Sequence, residues 1–289
     1  MLVIVGTVPL KDMPLTTDFC KFDHEKLTVD DVDLPLINGT SALVATAAQT
    51  CSALKIEKPY AVLAGDIGTG EGSKLIYRHL RDTRIPAAEK TVIAMHYIKP
   101  NVLYAKDAIK TLRRRPNTTL IADAGSLYVA KAAGLAKDFD LFTPDPGEMA
   151  FLADPEAMHP AYVRSFIFDA INDVPALIAQ AYKYGNAAKA LLVKGVTDYI
   201  VDDGKIVGEV SQPSIPALEA VGGTGDTLVG IASALIAAGY GVTDAAVLAA
   251  KANRLMGALA KPNPATKVWE MIRFIPEALE SARKTQTGR

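Results

Sequence analysis

Cysteine, long apolar runs and an excess of charge of either sign are all scarce in this sequence. Its 289 residues include only 2 cysteines, too few for a disulfide framework and typical of a reducing compartment. The longest apolar candidate, residues 227–238, falls short of the ~18 residues that a membrane span needs. With 31 basic and 32 acidic residues the net charge is −1, which favours neither nucleic acid nor an anionic membrane as a partner.

The opening stretch, residues 1–13, is apolar but unlike a secretory leader. No basic segment precedes its apolar residues, and Pro9, Lys11 and Asp12 interrupt it. We interpret it as a first strand and expect a cytoplasmic protein, with a homo-oligomer left open.

What the sequence does have is a regular alternation of short apolar runs and helical segments. Hydrophobic residues make up 49% of the chain and charged residues 22%, which is ordinary for a globular protein with a sizeable core. Strands are predicted at residues 60–64, 91–95, 119–122, 139–143 and 189–193. Helices are predicted at residues 73–82, 102–115, 127–135 and from about 148. Apolar strands separated by long helices indicate a buried parallel sheet covered on both faces.

The pattern changes after the last of these strands. Residues 198–201 and 205–210 flank Asp202-Asp203-Gly204, a turn signal typical of a β-hairpin. Three long helices are then predicted, at residues 226–238, 243–259 and 268–281.

Two stretches have no clear periodicity. Residues 154–173 are predicted to be a surface insertion or a lid, and residues 7–35 are assigned to no element. No repeat, low-complexity tract or linker divides the chain, so we expect a single domain over residues 1–289.

The strongest chemical signal is a glycine-rich turn that runs into an apolar helix, Gly222-Gly223-Thr224-Gly225-Asp226. Glycine lacks the Cβ atom that would hold an anion away from backbone N–H groups. The helix that follows directs its unpaired N–H groups and its positive dipole end to the same place. Asp226, in the first turn, is placed to act as a catalytic base. The alternative is a plain N-capped helix entered through a glycine turn.

Polar residues at the ends of predicted strands supply the remaining candidates. Asp123 is predicted either to contact substrate or metal or to cap a helix. Lys194 is placed to neutralise a phosphate, and a solvated strand-end lysine is the alternative. Asp145 and Glu148 are predicted to face the cleft of Asp226, where they would position the substrate or the Mg²⁺-nucleotide. The alternative is that they only favour the start of a helix.

Two further features carry weaker signals. The glycine cluster at residues 65–73 is predicted either to accept a phosphate or substrate hydroxyls or to be a structural turn. The four histidines have no metal-ligand spacing, so no protein metal ligand is predicted directly.

These motifs resemble those of the ribokinase superfamily and, within it, the ADP- or ATP-dependent NAD(P)H-hydrate dehydratases of the carbohydrate-kinase-like branch. The resemblance rests on the loop at residues 222–226 and on residues 121–124, 141–148 and 192–195, in the family's order. It implies a three-layer α/β/α fold with a mainly parallel central sheet and a hairpin in the C-terminal half. It also implies that Gly222, Gly223, Thr224, Gly225 and Lys194 bind nucleotide phosphate and that Asn253 lies at the adenine.

The resemblance further implies an enzyme that uses ATP or ADP, with Mg²⁺, to phosphorylate a hydroxyl of a small-molecule substrate, hydrated NAD(P)H, and then eliminates phosphate. The chain departs from the family in two places. It has Asp145 where the family usually has histidine, and its N-terminal third lacks the family's glycine and tyrosine signature. Two other functions stay open: an ATP-dependent kinase of a small sugar or other alcohol, and a nucleotide-binding regulator, which the presence of Asp226 disfavours.

Overall fold

A long twisted sheet forms the centre of the computed structural model, which describes residues 1–82, 84–168 and 171–287. The strands, numbered in chain order, are β1 (Leu2–Val8), β2 (Thr16–Phe19), β3 (Lys21–Phe22), β4 (Leu27–Val29), β5 (Val32–Leu34), β6 (Tyr60–Gly65), β7 (Thr91–Met95), β8 (Thr118–Ala122), β9 (Leu141–Phe142), β10 (Ala190–Val193), β11 (Asp198–Asp202) and β12 (Lys205–Val210). The helices are α1 (Thr40–Leu54), α2 (Glu71–Arg81), α3 (Val102–Arg113), α4 (Ala124–Ala132), α5 (Pro146–Ala153), α6 (Ser165–Phe168), α7 (Val174–Lys183), α8 (Thr224–Ala237), α9 (Val242–Ala260), α10 (Val268–Ile272) and α11 (Ile275–Thr287).

The order of strands in this sheet is β12-β11-β10-β9-β8-β7-β1-β6-β2. Six of these strands are parallel to one another, namely β10, β9, β8, β7, β1 and β6. The hairpin β11–β12 closes one edge and β2 closes the other, both antiparallel. The carboxyl ends of the parallel strands therefore lie on the same side of the sheet. Ligands bind beyond these strand ends in folds of this kind.

Each face of the sheet carries its own apolar core. In β1, Leu2 and Ile4 pack into one core and Val3 and Val5 into the other, because successive side chains of a strand point to opposite faces. Helices α1, α8, α9, α10 and α11 cover the first face, and α2, α3, α4, α5 and α7 cover the second. The predicted three-layer α/β/α fold with a mainly parallel sheet is confirmed.

Most predicted elements lie where the sequence placed them. The hairpin turn has Asp203 and Gly204 at φ 46° and 83°, the two positive values that a type I′ turn requires. The predicted strand at 139–143 is shorter than expected, with only Leu141–Phe142 paired. The predicted helix at 268–281 is wrong as one element, because α10 ends at Ile272 and α11 begins at Ile275.

The unassigned N-terminal stretch is ordered into strands. After β2 joins the main sheet, β3, β4 and β5 form a separate three-stranded antiparallel sheet. Helix α1 follows, and the sequence did not predict it. Its residues from Thr40 to Ala48 are all buried, so it has no polar face to give a helical period.

The segment at 154–173 is attached to the body by a buried lysine. Lys131 Nζ donates to the carbonyl oxygens of Phe151 at 2.6 Å, Asp154 at 2.5 Å and Ala157 at 2.7 Å. The Asp154 carboxylate is buried and pairs with Arg164 at 2.8 Å. Residues 169 and 170 of the predicted insertion lie outside the described residues.

Among the residues described, no helix combines the length and the apolar character that crossing a membrane requires.

Candidate active site

Three polar side chains lie at the carboxyl ends of three strands of the parallel sheet. His96 comes directly after β7, Asp123 after β8 and Lys194 after β10. All three are buried or nearly so, since the side chains of His96, Asp123 and Lys194 are 0%, 3% and 15% exposed. The fold thus brings together side chains that are far apart in sequence.

Asp226 joins this group from the first turn of α8. Its Oδ2 accepts a hydrogen bond from the Gly39 N–H at 2.6 Å, and its Oδ1 lies 3.1 Å from His96 Nε2. Gly39 is the N-cap residue of α1, so the N-termini of α1 and α8 both face this carboxylate. Partial positive charge at a helix N-terminus stabilises a carboxylate there.

The glycines of the loop are needed for different reasons. Gly223 has φ +100°, and a Cβ there would lie 3.1 Å from Val268 Cγ1 and 3.2 Å from the Asn38 Cα. Gly225 has ordinary helical backbone, and its Cβ would face the Lys194 side chain, 3.5 Å from Nζ. Gly223 therefore serves the turn itself, whereas Gly225 keeps the space beside Lys194 open.

Lys194 and Asp123 form a buried ion pair with Nζ and Oδ1 2.8 Å apart. Burial opposes the charge on Asp123, but Lys194 and His96 outweigh it and hold its pKa well below the usual range. Burial likewise opposes the charge on Lys194, while Asp123 and Glu148 raise its pKa above the usual value. Asp123 stands at the N-cap position of α4 but makes no side-chain capping bond, so its carboxylate is committed to the site rather than to the helix.

Asp145 and Glu148 form a capping box at the start of α5. Glu148 N–H donates to Asp145 Oδ1 at 2.8 Å, and Asp145 N–H donates to Glu148 Oε2 at 2.9 Å. Tyr128 Oη donates to the other Glu148 oxygen at 3.0 Å. Burial, with Asp123 and Asp145 nearby, raises the pKa of Glu148 to about 7 although Lys194 opposes the rise. The capping box fits the helix-start interpretation, and Glu148 also lies close enough to Lys194 for its pKa to be affected.

Two cavities have walls that include neighbours of Asp226. The first, of about 540 Å³, has Asn38, Gly39, Thr40, Tyr97 and Tyr128 in its wall, and we call it the tyrosine pocket. The second, of about 420 Å³, has Lys194, Thr224, Gly225, Leu218 and Asn253 in its wall, and we call it the loop pocket. Asp226 contacts Gly39 of the tyrosine pocket and directly follows Gly225 of the loop pocket. The carboxylate therefore adjoins the wall of the tyrosine pocket, and the Asp226 backbone adjoins that of the loop pocket.

Asn253 lines the loop pocket, but its amide is already engaged. Its Oδ1 accepts from Thr227 Oγ1 at 2.6 Å, and its Nδ2 donates to the Thr224 carbonyl at 3.1 Å. Asn253 thereby fixes the first turn of α8, where the loop enters the helix.

The neighbouring Arg254 builds the opposite wall of the loop pocket. Its Nε lies 2.8 Å from Asp198 Oδ2, and its guanidinium also donates to the carbonyls of Ser211, Gly195 and Val196 at 3.1, 2.9 and 2.9 Å. Both members of the pair are buried, with side chains 11% and 8% exposed.

Arg254→Met is expected to lower the free energy of unfolding by about 3–5 kcal/mol, because it leaves the Asp198 carboxylate buried without its partner. Urea titration followed by circular dichroism measures the loss. Lys26→Met is the matched control, since Lys26 pairs with Asp33 at 2.9 Å on the surface and should change the midpoint little. Equal midpoints for the two variants would contradict this role of Arg254.

In the glycine cluster at 65–73, the backbone N–H groups already donate to a carboxylate of the same loop, that of Asp66. Asp66 Oδ1 accepts from the N–H groups of Gly68 and Gly70, both at 2.9 Å, and Oδ2 accepts from Ser73 N–H and Oγ at 3.1 and 2.9 Å. These donors are the ones a phosphate would need. These hydrogen bonds fit the structural-turn interpretation, and Asp66, Gly68 and Ser73 also line the tyrosine pocket.

Sequence reasoning missed His96, Gly39 and the two tyrosines of the first pocket. A usable signal existed for His96, because it follows a predicted strand just as Asp123 follows the next one. Gly39 belongs to the unpredicted helix α1, so nothing in the local pattern connected it to Asp226.

Comparison with known proteins gives the family. The profile of the carbohydrate-kinase-type NAD(P)H-hydrate dehydratases matches residues 100–276. A Methanocaldococcus jannaschii protein, called uncharacterized protein MJ1337, is 43% identical over 224 residues, 77% of this chain and 92% of that protein. The bifunctional NAD(P)H-hydrate repair enzyme Nnr of Hyperthermus butylicus is 38% identical over 120 residues, 39% of this chain and only 22% of that enzyme.

Solved structures show the same fold at low sequence identity. Bacillus subtilis YxkO superposes with a TM-score of 0.58 at 15% identity, over 97% of this chain and 92% of that one. Escherichia coli phosphofructokinase-2 gives 0.55 at 13% identity, over 96% and 99% of the two chains. Staphylococcus aureus pyridoxal kinase in complex with ADP gives 0.52 at 13%, over 89% and 88%. Fold and sequence agree that the chain belongs to the NAD(P)H-hydrate dehydratase family of the ribokinase-like superfamily.

Proposed function

We propose that this protein is a nucleotide-dependent NAD(P)H-hydrate dehydratase that works by phosphoryl transfer followed by elimination. The observation that carries the proposal is that Asp226 adjoins both pockets, through its hydrogen bond to Gly39 of the tyrosine pocket and through its chain neighbour Gly225 of the loop pocket. A base at the boundary of two cavities can take a proton from an acceptor in one while a phosphoryl group arrives from the other.

The loop pocket is the proposed site of ATP or ADP. Gly222, Gly223, Thr224 and Gly225 would surround the transferred phosphate at the N-terminus of α8, with Lys194 as the cation beside it. The adenine would lie toward Leu218 and Asn253 in the same cavity.

A Mg²⁺ ion that accompanies the nucleotide would find oxygen ligands at the start of α5. Mg²⁺ keeps several waters and is held through one or two carboxylates, and Asp145 and Glu148 are two carboxylates side by side. When bound, the ion offsets negative charge on the phosphates. Asp123 is not assigned to it, because its Oδ1 pairs at 2.8 Å with the ammonium group of Lys194, whose positive charge repels a metal ion.

The tyrosine pocket is the proposed site of the hydrated nicotinamide ring. Tyr97 and Tyr128 offer aromatic faces to a flat ring, and Asn38 and Thr40 offer polar groups close to Asp226. Because its wall combines residues from Thr7 to His159, we take residues 1–289 to act as one catalytic domain.

In the proposed reaction Asp226 removes the proton of the ring hydroxyl, and that oxygen forms a bond to the terminal phosphorus as the nucleotide leaves. Donors at the glycine loop stabilise the charge on the phosphoryl group during transfer. The ring nitrogen then releases its electron pair to expel the phosphate, and the neighbouring carbon loses a proton. The balance is hydrate plus ATP giving NAD(P)H, ADP and phosphate, or ADP giving AMP.

One observation favours a kinase of a small alcohol as the second candidate. Most of the tyrosine pocket wall, including Asn38, Gly39, Thr40 and Tyr97, precedes residue 100, where the family match begins. A kinase would use the same base and loop and stop after the transfer.

Incubation with hydrated NADH and either ADP or ATP is expected to restore the dihydronicotinamide absorbance. The measurement is the rise at the dihydronicotinamide band, with enzyme-free and nucleotide-free samples as controls. If neither nucleotide restores absorbance while a sugar or alcohol panel shows Mg²⁺-dependent phosphorylation, the dehydratase proposal fails and the kinase stands.

A further inference from the structure

His96 is a fully buried histidine and one of four titratable side chains that lie in a row. In order along the site, they are Lys194, Asp123, His96 and Asp226, with contacts of 2.8, 3.4 and 3.1 Å between successive side chains. The row reaches from the loop pocket, which Lys194 lines, to the carboxylate beside the tyrosine pocket. A positive charge on the imidazole would offset the repulsion between the two buried carboxylates.

The imidazole ring is held from both sides. Nδ1 lies 3.1 Å from Thr40 Oγ1 at the start of α1, and the Tyr97 ring packs against the imidazole with centroids 4.3 Å apart. The backbone carbonyl of His96 accepts from Ser126 Oγ at 2.6 Å. In this orientation of the ring, Nε2 lies close to both Asp123 and Asp226.

The same three side chains place one ligand atom each within 4.8 Å of one another, the size of a metal site. Two features favour an imidazolium over a metal ion. Lys194 already neutralises one oxygen of Asp123, and Asp226 has to stay available as a base in the proposed reaction. A metal ion bound to Asp226 would compete for the electron pair that takes the proton.

We propose that His96, as an imidazolium, is a positioning residue that holds the base Asp226 in line and links it through Asp123 to the phosphate-binding Lys194. The inference rests on the proposed function. It goes beyond the proposed function because it makes the orientation of Asp226 depend on the charge of His96, which lies outside the glycine loop. His96 touches neither nucleotide nor acceptor in this scheme, so it acts on turnover through Asp226 alone.

The charge on His96 gives the proposal a pH dependence. Burial opposes the charge, but Asp123 and Asp226 outweigh it and raise the pKa of His96 to about 9. Of the other groups near this row, Glu148 has a pKa raised to about 7 and Tyr97 one raised to about 12, while the pKa of Lys194 lies above its usual value. Turnover should therefore be retained below pH 9 and fall as the pH rises through 9. The stability that His96 contributes should be full below its unfolded value of 6.5 and be lost by pH 9.

The test combines ¹⁵N NMR of histidine-labelled protein with kinetics of His96→Gln. The wild-type signal that disappears in His96→Gln is expected to show two protonated ring nitrogens at pH 7.5 and to titrate near pH 9. At pH 7.5 the variant should lose about 10²-fold in kcat, keep its nucleotide Kd within about threefold, and lack the basic limb of the pH profile. His79→Gln is the matched control, a buried histidine on α2 away from the row.

The NMR result needs no turnover, so it separates this proposal from the proposed function. A neutral His96 at pH 7.5, or a stoichiometric metal found by elemental analysis of the purified protein, would overturn the imidazolium. His96 would be a structural residue if the wild-type ¹⁵N signal titrates as expected but His96→Gln loses kcat and nucleotide affinity equally.

Discussion

Asp226→Asn is expected to lower turnover by about 10²–10⁴-fold while the nucleotide affinity stays close to that of the wild type. The amide keeps the size of the side chain and its oxygen can still accept the Gly39 N–H, so the hydrogen bond that joins the N-termini of α1 and α8 is preserved. What is lost is the electron pair that takes the acceptor's proton. The measurement is kcat from steady-state kinetics together with nucleotide Kd from calorimetry.

Asp244→Asn is the matched control for this experiment, because Asp244 is also an acid in the first turn of a helix, α9, but is exposed to solvent. It should leave both kcat and Kd unchanged. Parallel losses of affinity and rate in Asp226→Asn would show that Asp226 is a structural group at the start of α8 and not the base.

Gly225→Val is expected to weaken nucleotide binding by about 10–100-fold, the loss of a charge-assisted phosphate contact, while the protein stays folded. Gly225 has helical backbone, so a valine there meets no positive-φ strain, yet its side chain would point at Lys194 from a Cβ 3.5 Å from Nζ. Gly223→Val should also weaken binding. Its φ of +100° and its contact with Asn38 mean that it will lower stability as well, so it is the less clean variant.

Ala237→Val, at the last residue of α8, controls for the cost of a β-branched residue in this helix. Calorimetric titration with ADP and ATP gives the affinities, and circular dichroism gives the helix content. Wild-type nucleotide affinity in both glycine variants would place the phosphates away from the loop.

The fold was largely predictable because its signals are local. Apolar strands such as β7 and β10, the Asp203-Gly204 turn and the glycine entry into α8 can each be recognised within a few residues. The elements that the sequence did not predict lack such local signals. Helix α1 is buried along most of its length and lacks amphipathic periodicity, and β3 to β5 are strands of only two or three residues.

The site was predictable in its parts but not in its arrangement. Asp123, Lys194 and Asp226 could be chosen because each ends a strand or begins a helix, yet only the sheet order shows that Asp123 pairs with Lys194. His96 carries no spacing motif, and its importance arises from contacts with residues 27 or more positions away in the chain. Asp145 was ambiguous from sequence because a capping box and a ligand site use the same residue types.

The central claim is that the hydroxyl oxygen of the acceptor is phosphorylated, with Asp226 as the base, and then leaves the ring as part of the phosphate. Hydrated NADH carrying ¹⁸O in that hydroxyl tests it directly, with the released phosphate examined by ³¹P NMR or mass spectrometry. We expect one ¹⁸O atom in each phosphate formed, with one phosphate for each dihydronicotinamide restored. Restored dihydronicotinamide with all of the ¹⁸O in water would contradict phosphoryl transfer, and with it the role of Asp226 as the base for that transfer.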